Sequence, residues 1–188
     1  MGQAKSLTQA EMKQILGSIA LGKHAARNRA MFLTTALAGL RVGEVAALRY
    51  GDVVDETGRV KDEFRLLPEQ TKGNHARTVF VGERLRKELQ AYVDGRTWSH
   101  GSAPLFYTQK RAGFSPNTLA QQFISIYRRA NVQGASSHSG RRSFITNLAN
   151  KGIGVRLLAS LAGHKNVAVT MRYIDCNDEM KRNAVNLV

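Results

Sequence analysis

A junction between two helices is contained in the stretch GLRVGEVAAL, residues 39–48. The preceding residues, 27–38, have the composition of a core helix, and Gly39 can adopt the left-handed conformation that ends one. A second, shorter helix is predicted from Arg41 to about Leu48. This part of the chain is therefore predicted to be helical, with a sharp break at the glycine.

The same stretch places charged and apolar side chains on one helical face. Helical spacing relates Arg41, Glu44, Val45 and Leu48. Because Val45 and Leu48 should point inward, Arg41 is expected at the edge of the core, where its charge requires an acidic partner. Glu44 is placed to provide one. A structural ion pair at a helix start and a functional arginine with its supporting acid both fit this pattern.

Helix signals dominate the chain on both sides of this junction. Thr8 and Glu11 form a capping-box pattern in front of an apolar stripe, and Ser115 before Pro116 is a favourable helix start. Apolar spacing predicts further helices near 85–92, 140–151, 154–161, 166–174 and 178–187.

The middle of the chain differs. Residues 52–55, 59–67 and 77–81 are rich in strand formers and are separated by turn residues, which predicts a small antiparallel sheet. Lys72 lies in the turn TKGN before the last of these strands. No linker rich in Pro, Gly or Ser divides the chain. The sequence thus predicts one domain over 1–188, mainly α with a small antiparallel β-sheet (α+β).

The charge balance indicates the kind of partner. The 188 residues contain 28 Lys and Arg against 14 Asp and Glu, a net charge of +14 that is spread along the chain. A folded domain with this excess suits a polyanion such as nucleic acid, although a ribosome-associated protein would also fit. The single cysteine excludes a disulfide framework and fits a reducing cytoplasm. The most apolar run is too short for a membrane span.

Two further stretches contain residue types that suit chemistry on a phosphate. In HSGRRSFITNLA, residues 138–149, His138 and Arg141 lie three residues apart at a helix start. A polar helix entrance capped by the histidine would explain them equally well. In GHKNVAVTMRYIDCN, residues 163–177, Tyr173 follows His164 by nine residues. A lone tyrosine at such a place is more often a packing residue than a nucleophile.

Together these residue types match what metal-free phosphoryl transfer needs. An arginine guanidinium binds two phosphate oxygens at once, and two such groups can neutralise charge on a pentacoordinate phosphorus. A lysine can protonate a departing oxygen, and histidines can move protons near neutral pH. A phenol has a pKa near 10 and needs such help to attack. We find no metal-binding motif and expect no cofactor.

The combination resembles the tyrosine recombinase family, also called phage integrases, in the family's own order. The similar boxes are GLRVGEVAAL, TKGNHARTVFV, HSGRR and LAGHKNVAVTMRYI. The resemblance runs from about Leu7 to Tyr173 and implies the catalytic-domain fold of that family. The corresponding site residues are Arg41 with Glu44 as supporting acid, Lys72, His138, Arg141, His164 and Tyr173.

The resemblance implies a role for each of these residues. Tyr173 would attack a DNA phosphate and form a 3′-phosphotyrosyl link, leaving a free 5′-hydroxyl. Arg41, Arg141 and His164 would bind the scissile phosphate. Lys72 would be the general acid and His138 a general acid/base. Four other basic residues are expected to contact DNA phosphates without reading sequence. They are Arg77, Arg142, Lys165 and Arg172.

The implied function is site-specific DNA recombination by integration, excision or inversion, independent of metal and ATP. The implied partners are double-stranded DNA, further copies of the chain as a tetramer on DNA, and accessory DNA-bending proteins. The implied location is cytoplasmic and nucleoid-associated in a bacterial host.

The resemblance also bears on domain organisation. The family's N-terminal DNA-clasping domain is expected to be absent, either because the chain is truncated or because it is a naturally short member. Met180, Ala184 and Leu187 form an apolar stripe on a predicted tail helix over 177–188. This tail could dock on a neighbouring protomer or on its own domain.

Two other functions share parts of this pattern. Type IB topoisomerases use similar chemistry, but the H-x-x-R box argues against them because they typically carry lysine in place of the histidine. A non-catalytic DNA-binding protein on the same fold is disfavoured because the residue set is complete.

Overall fold

A computed structural model describes residues 4–96, 100–174 and 178–186. The fold is mainly helical with a small antiparallel sheet, which confirms the predicted fold class. The helices are α1 (Gln9–Ala20), α2 (Ala25–Ala38), α3 (Val42–Ala47), α4 (Tyr50–Val53), α5 (Glu83–Asp94), α6 (Pro116–Arg129), α7 (Ser139–Asn150), α8 (Val155–Ala162), α9 (Val167–Met171) and α10 (Asp178–Val185). The strands are β1 (Glu63–Leu66) and β2 (Arg77–Phe80).

The first helix begins at the predicted capping box. The Thr8 hydroxyl accepts a hydrogen bond from the backbone N–H of Glu11, and the Glu11 carboxylate accepts one from the backbone N–H of Thr8. Two orphan donors at the helix start are thereby satisfied, which stabilises this end by about 1 kcal/mol relative to alanine at the cap. Met12, Ile15 and Ile19 then face the core.

Helix α2 is the centre of the core. Met31, Phe32 and Leu33 are all fully buried, although they are consecutive and point in different directions. Residues 30–36 are buried on every side of the helix, because α2 packs against α1, α5 and α7. The core of the protein therefore holds the C-terminal end of α2 in place. This fixed end also limits where the next residues of the chain can lie.

Helix α6 covers another side of the core. The Ser115 hydroxyl accepts from the backbone N–H of Thr118, and Pro116 occupies the first turn, as predicted. Phe123 and Tyr127 are buried, and the Tyr127 ring meets the Phe32 ring of α2 edge-on at 6.3 Å between centroids. This contact locks α6 to the central helix.

The predicted strand at 52–55 is wrong. Tyr50–Val53 form α4, and Val54 makes only an isolated bridge with Val60. The Asp52 carboxylate accepts hydrogen bonds from the backbone N–H of Arg49 and from the Gln70 side chain, which caps a helical turn there. The predicted strand at 59–67 shortens to Glu63–Leu66, so the sheet pairs β1 with β2 alone in the described residues, with Phe64 opposite Val79.

The tail forms a helix, α10, close to the predicted 178–187. Ala184 and Val185 are exposed. The side chain of Met180 and all of Leu187 lie outside the described residues, so the predicted apolar stripe and its docking partner stay predictions. None of the helices in 4–96, 100–174 and 178–186 combines the length and apolarity needed to cross a membrane.

Candidate active site

The end of α2 brings Arg41 to its position. Gly39 caps α2 in the left-handed conformation, with φ of 67°, and a side chain there would overlap the Phe144 ring of α7. The chain turns sharply and reaches Arg41, which precedes α3. The Arg41 side chain is half-buried, so its guanidinium is held by the protein on one side and open on the other.

Glu44 holds Arg41, as predicted, and also holds a second arginine. Its Oε1 accepts from Nη1 of Arg41 at 2.8 Å, and its Oε2 accepts from Nη2 of Arg77 at 2.8 Å. Only 1% of the Glu44 side chain is exposed. Burial raises the pKa of Glu44, but the charges of Arg77 and Arg41 outweigh it, and the net pKa is lowered. The carboxylate therefore stays ionised between its two arginines.

Arg77 has partners within the protein. Besides Glu44, its Nη1 donates to the backbone oxygen of Leu161 at 3.0 Å, near the end of α8. Its side chain is 11% exposed. These contacts favour a supporting role under Arg41 over the predicted phosphate contact. No local signal in the sequence distinguishes the two roles, because the acid it shares is 33 residues away.

Arg141 extends from α7 into the interior and is 3% exposed. Its Nη1 donates to the backbone oxygen of Gly39, and its Nη2 donates to the backbone oxygen of Ala162 at 2.6 Å. Burial lowers the pKa of Arg141 to about 9, and the neighbouring charge of Arg41 adds to the effect. The guanidinium thus remains charged at neutral pH and joins the ends of α2 and α8.

The hydrogen bonds of His164 define its tautomer. Nη2 of Arg141 lies 2.8 Å from Nε2 of His164. An arginine only donates, so Nε2 must accept and the ring proton is on Nδ1. Nδ1 then donates to the Thr170 hydroxyl at 2.8 Å. Burial first, and then the charges of Arg141 and Arg41, lower the pKa of His164 to about 4.

This lowered pKa has a consequence for stability. The unfolded chain has a histidine of ordinary pKa, near 6.5, and binds more protons than the folded chain between pH 6.5 and about 4. We therefore expect the free energy of unfolding to fall as pH falls through this window. Replacing His164 by Asn should make the fall shallower, as measured by urea unfolding at pH 7.5 and pH 5. An unchanged pH dependence in His164→Asn would contradict the expectation.

Gly163 connects α8 to His164. It ends α8 in the left-handed conformation, with φ of 63°, and a side chain at this position would overlap the Arg77 side chain. The glycine thus allows Arg77 and His164 to come close together.

Replacing Gly163 by Ala is expected to destabilise the protein by at least about 1 kcal/mol, from backbone strain plus the clash with Arg77. Gly17→Ala is a matched control, since Gly17 lies inside α1 with open space around it. That change should stabilise by up to about 1 kcal/mol. Urea unfolding measures both, and equal effects would contradict the role of Gly163.

Tyr173 lies next to these groups. It follows α9 and is half-buried. Its ring stacks with the His164 ring, with centroids 5.7 Å apart and planes 22° apart. The Arg142 guanidinium lies over the same ring, with Cζ 5.3 Å from the centroid. The tyrosine ring is therefore in contact with an imidazole and a guanidinium.

Lys72 and His138 complete the site from two other directions. Lys72 is exposed in the loop before β2, and His138 directly precedes α7. Together with Arg41 they line a cavity of about 460 Å³. A neighbouring cavity of about 400 Å³ shares Arg41 and Lys72 and also contacts His164. Partial burial, then the charges of Arg141, Arg41 and Lys72, lower the pKa of His138.

The structure thus brings the predicted residues together. The two cavities, the hydrogen bonds and the ring contacts connect Arg41, Glu44, Lys72, His138, Arg141, His164 and Tyr173. Lys165 and Arg172 are exposed nearby, and Lys165 lines the second cavity. The concentration of cations around one buried carboxylate leaves a net positive site that suits a phosphate group.

Two threonines hold this site through hydrogen bonds. The Thr170 hydroxyl accepts from His164, and the Thr146 hydroxyl donates to the backbone oxygen of Tyr173 at 3.2 Å. Thr170 occupies the position three residues before the tyrosine that the family pattern also has. Thr146 has no local signal in the sequence, because the backbone oxygen that it contacts is 27 residues away.

The chain was compared with known proteins. Tyrosine recombinase XerA of Pyrococcus furiosus is 30% identical over 172 residues, which is 90% of this chain and 56% of the relative. TnP I resolvase of Bacillus thuringiensis is 26% identical over 185 residues, or 97% of this chain and 61% of the relative. The chain thus spans little more than half the length of these two proteins.

Solved structures share the fold. The crystal structure of XerA recombinase matches with a TM-score of 0.78 at 24% identity, over 100% of this chain and 64% of the other. The Tn1549 transposon integrase in complex with a circular intermediate DNA matches with a TM-score of 0.80 at 20% identity, over 100% and 67%. The model of the phage integrase family matches residues 5–180, which include every side chain of the site described above. This chain therefore belongs to the phage integrase family.

Proposed function

We propose that this chain is the catalytic domain of a site-specific DNA recombinase that acts through a 3′-phosphotyrosyl intermediate. The observation that carries the proposal is the proximity of Arg41, Arg141, His164 and Tyr173, which come from three separate stretches of the chain. Relatives at this identity are named tyrosine recombinases, and a structural neighbour was solved with DNA.

We propose the following cleavage step for these groups. The Tyr173 oxygen attacks the phosphorus, a bond forms between them, and the bond from phosphorus to the 5′-oxygen breaks. His138 accepts the phenol proton, and Lys72 donates a proton to the departing 5′-oxygen. Arg41 and Arg141 neutralise the charge on the non-bridging oxygens. The number of phosphodiester-type bonds is unchanged.

Rejoining reverses the same step. A 5′-hydroxyl, from the same or from another duplex, attacks the phosphotyrosyl phosphorus and releases the Tyr173 phenol. Because the covalent link conserves the energy of the broken bond, the cycle requires no ATP. The arginines provide the positive charge that stabilises the transition state.

The number of nucleophiles implies an assembly. Exchanging both strands of two duplexes requires four cleavages, and each chain supplies one Tyr173. We therefore propose a homotetramer on double-stranded DNA, with accessory DNA-bending proteins as further partners. Such an enzyme would act in the cytoplasm, associated with the nucleoid of a bacterial host. The tail at 177–188 would be exchanged between neighbours or packed on its own domain.

The test is recovery of a covalent complex from a random library of nicked duplexes. At a nicked site the short 5′-hydroxyl strand diffuses away after cleavage, which traps the intermediate. Denaturing capture followed by sequencing gives the target, and peptide mapping gives the attachment residue. A 3′-linked peptide containing Tyr173 is expected. Absence of any covalent species would contradict the proposal, and relaxation of plasmids of any sequence would indicate a topoisomerase.

DNA affinity is expected to fall steeply with salt, because the protein replaces counterions on the phosphates. The net charge of +14 and the exposed cations beside the site favour several phosphate contacts. Lys165→Gln and Arg172→Gln should each lower the slope of log K against log salt by about 1. Fluorescence anisotropy at salt concentrations from about 50 to 200 mM measures this slope. A flat response would contradict a basic DNA-binding face.

A further inference from the structure

Helix α7 carries two consecutive arginines with different surroundings. Arg141 points inward, is buried, and donates to two backbone oxygens and to His164. Arg142 lies about 100° further around the helix and is half-buried. Its guanidinium lies over the Tyr173 ring, with Cζ 5.3 Å from the ring centroid. The phosphate contact expected for Arg142 stays a prediction, and the ring contact gives this guanidinium a second role to test.

A second contact from α7 lies on the same face. Thr146 is one turn beyond Arg142, and its hydroxyl donates to the backbone oxygen of Tyr173. One face of α7 therefore holds Tyr173 at two points, the ring and the backbone. The His164 ring, stacked with the Tyr173 ring, provides a third.

The charge of Arg142 is available for this contact. In the part of the chain that the structure describes, no carboxylate lies within ion-pair distance of its guanidinium. A guanidinium over the face of a tyrosine is attracted by the negative charge of the π system, and partial burial strengthens this attraction. Among the described residues, no acid competes with the ring for this guanidinium.

We propose that Arg142 is a positioning residue, whose guanidinium binds the face of the Tyr173 ring and holds the nucleophile beside Arg141 and His164. A nucleophile that is held close to its target avoids the entropic cost of finding it, and a displacement of about 1 Å can reduce a rate strongly. The importance of this contact for catalysis rests on the proposed recombinase function. The ring contact itself does not.

The ring contact can be tested without DNA. The full chain, labelled with 3-fluorotyrosine, contains five fluorinated tyrosines, and Tyr173→Phe identifies the resonance of Tyr173. In Arg142→Gln, which removes the charge but keeps a planar group, this resonance should move toward that of free 3-fluorotyrosine. Arg142→Lys should give an intermediate shift. A Tyr173 resonance that is unchanged in Arg142→Gln would overturn the proposal.

The effect of Arg142 on catalysis is measured against a control variant that loses one arginine charge elsewhere on the protein. Arg128→Gln is suitable, because Arg128 is exposed in the last turn of α6 and belongs neither to the site nor to the expected DNA contacts. At saturating nicked DNA, Arg142→Gln should reduce the single-turnover cleavage rate about 5- to 10-fold, with the salt slope of binding unchanged. Arg128→Gln should leave the saturated rate unaltered.

The outcomes separate the two roles of Arg142. A lowered salt slope with a normal saturated rate in Arg142→Gln would make it a phosphate contact and overturn the positioning role. Partial recovery of rate in Arg142→Lys, in parallel with its intermediate fluorine shift, would support positioning. If the wild-type chain forms no covalent complex at all, the recombinase proposal fails, while the fluorine resonance still decides the ring contact.

Discussion

Replacing Tyr173 by phenylalanine is expected to abolish the covalent protein–DNA complex, a loss of at least about a thousandfold in single-turnover cleavage. Phenylalanine keeps the ring, so the stacking with His164 and the contact with Arg142 survive. The change therefore removes the hydroxyl and little else. DNA affinity and the free energy of unfolding should stay close to those of the wild type.

Other tyrosines are poor replacements for the nucleophile. The Tyr92 hydroxyl donates to the backbone oxygen of Leu105, and burial raises the pKa of Tyr92 to about 12. Tyr127 lies in the core, where burial raises the pKa of its phenol further. Neither phenol can reach a DNA phosphate without local unfolding. We therefore expect no rescue by Tyr92 or Tyr127.

The measurement is denaturing electrophoresis of the trapped complex on nicked DNA, with binding measured separately. Tyr50→Phe is a matched control, because Tyr50 is also half-buried with an arginine guanidinium, that of Arg96, 5.2 Å from its ring centroid. This control removes the same atom from a similar environment and should leave the complex intact. A covalent band in Tyr173→Phe equal to the wild type would exclude Tyr173 as the nucleophile.

Arg141→Lys is expected to reduce cleavage by about a thousandfold and also to destabilise the fold by roughly 2 kcal/mol. Lysine retains the charge but has a single ammonium in place of the planar fork. It cannot serve the backbone oxygens of Gly39 and Ala162 and the His164 ring at the same time. At least one buried acceptor would lose its donor, which accounts for the loss of stability.

Arg41→Lys separates the two effects. Arg41 is half-buried, and its described side-chain partner is Glu44, which also keeps Arg77. We expect a similar loss of cleavage but a smaller loss of stability, below about 1 kcal/mol. Urea unfolding and single-turnover cleavage measure the two quantities. Equal stability losses in the two variants would contradict the assignment of Arg141 as the residue that joins α2 to α8.

Local features of the sequence predicted most of the helices. The capping box at Thr8, the Ser115–Pro116 start and the glycine end at Gly39 all lie where expected. Each of these signals acts within a few residues, because caps and turns satisfy neighbouring backbone groups. The apolar spacing between them is equally local. A single sequence therefore contains enough information to locate such elements.

The error at 52–55 has a cause outside the segment. Its two adjacent valines suit a strand, but Asp52 is bonded to Arg49 and to Gln70. The bond to Gln70 spans 18 residues and closes a helical turn that strand propensity opposes. Tertiary contacts override strand propensity in this way because the propensity differences are only about 1 kcal/mol.

The site likewise combines features that the sequence predicts with features that depend on tertiary contacts. The order and spacing of the boxes singled out Arg41, Arg141 and Tyr173 from the sequence. The distances between these side chains cannot be predicted from neighbouring residues, since the hydrogen bond from Arg141 to Gly39 spans 102 residues. The sharing of Glu44 by two arginines and the position of Arg142 over the Tyr173 ring likewise arise only from folding.

The amino-acid order alone thus established helix content, positive charge and the set of chemical groups, because these depend on neighbouring residues or on composition. Which guanidinium is buried, which carboxylate joins two of them and which side chain holds the phenol were settled by the packing of α2, α7 and α8. Those properties arise from distances between atoms far apart along the chain, and only the close-packed fold sets these distances.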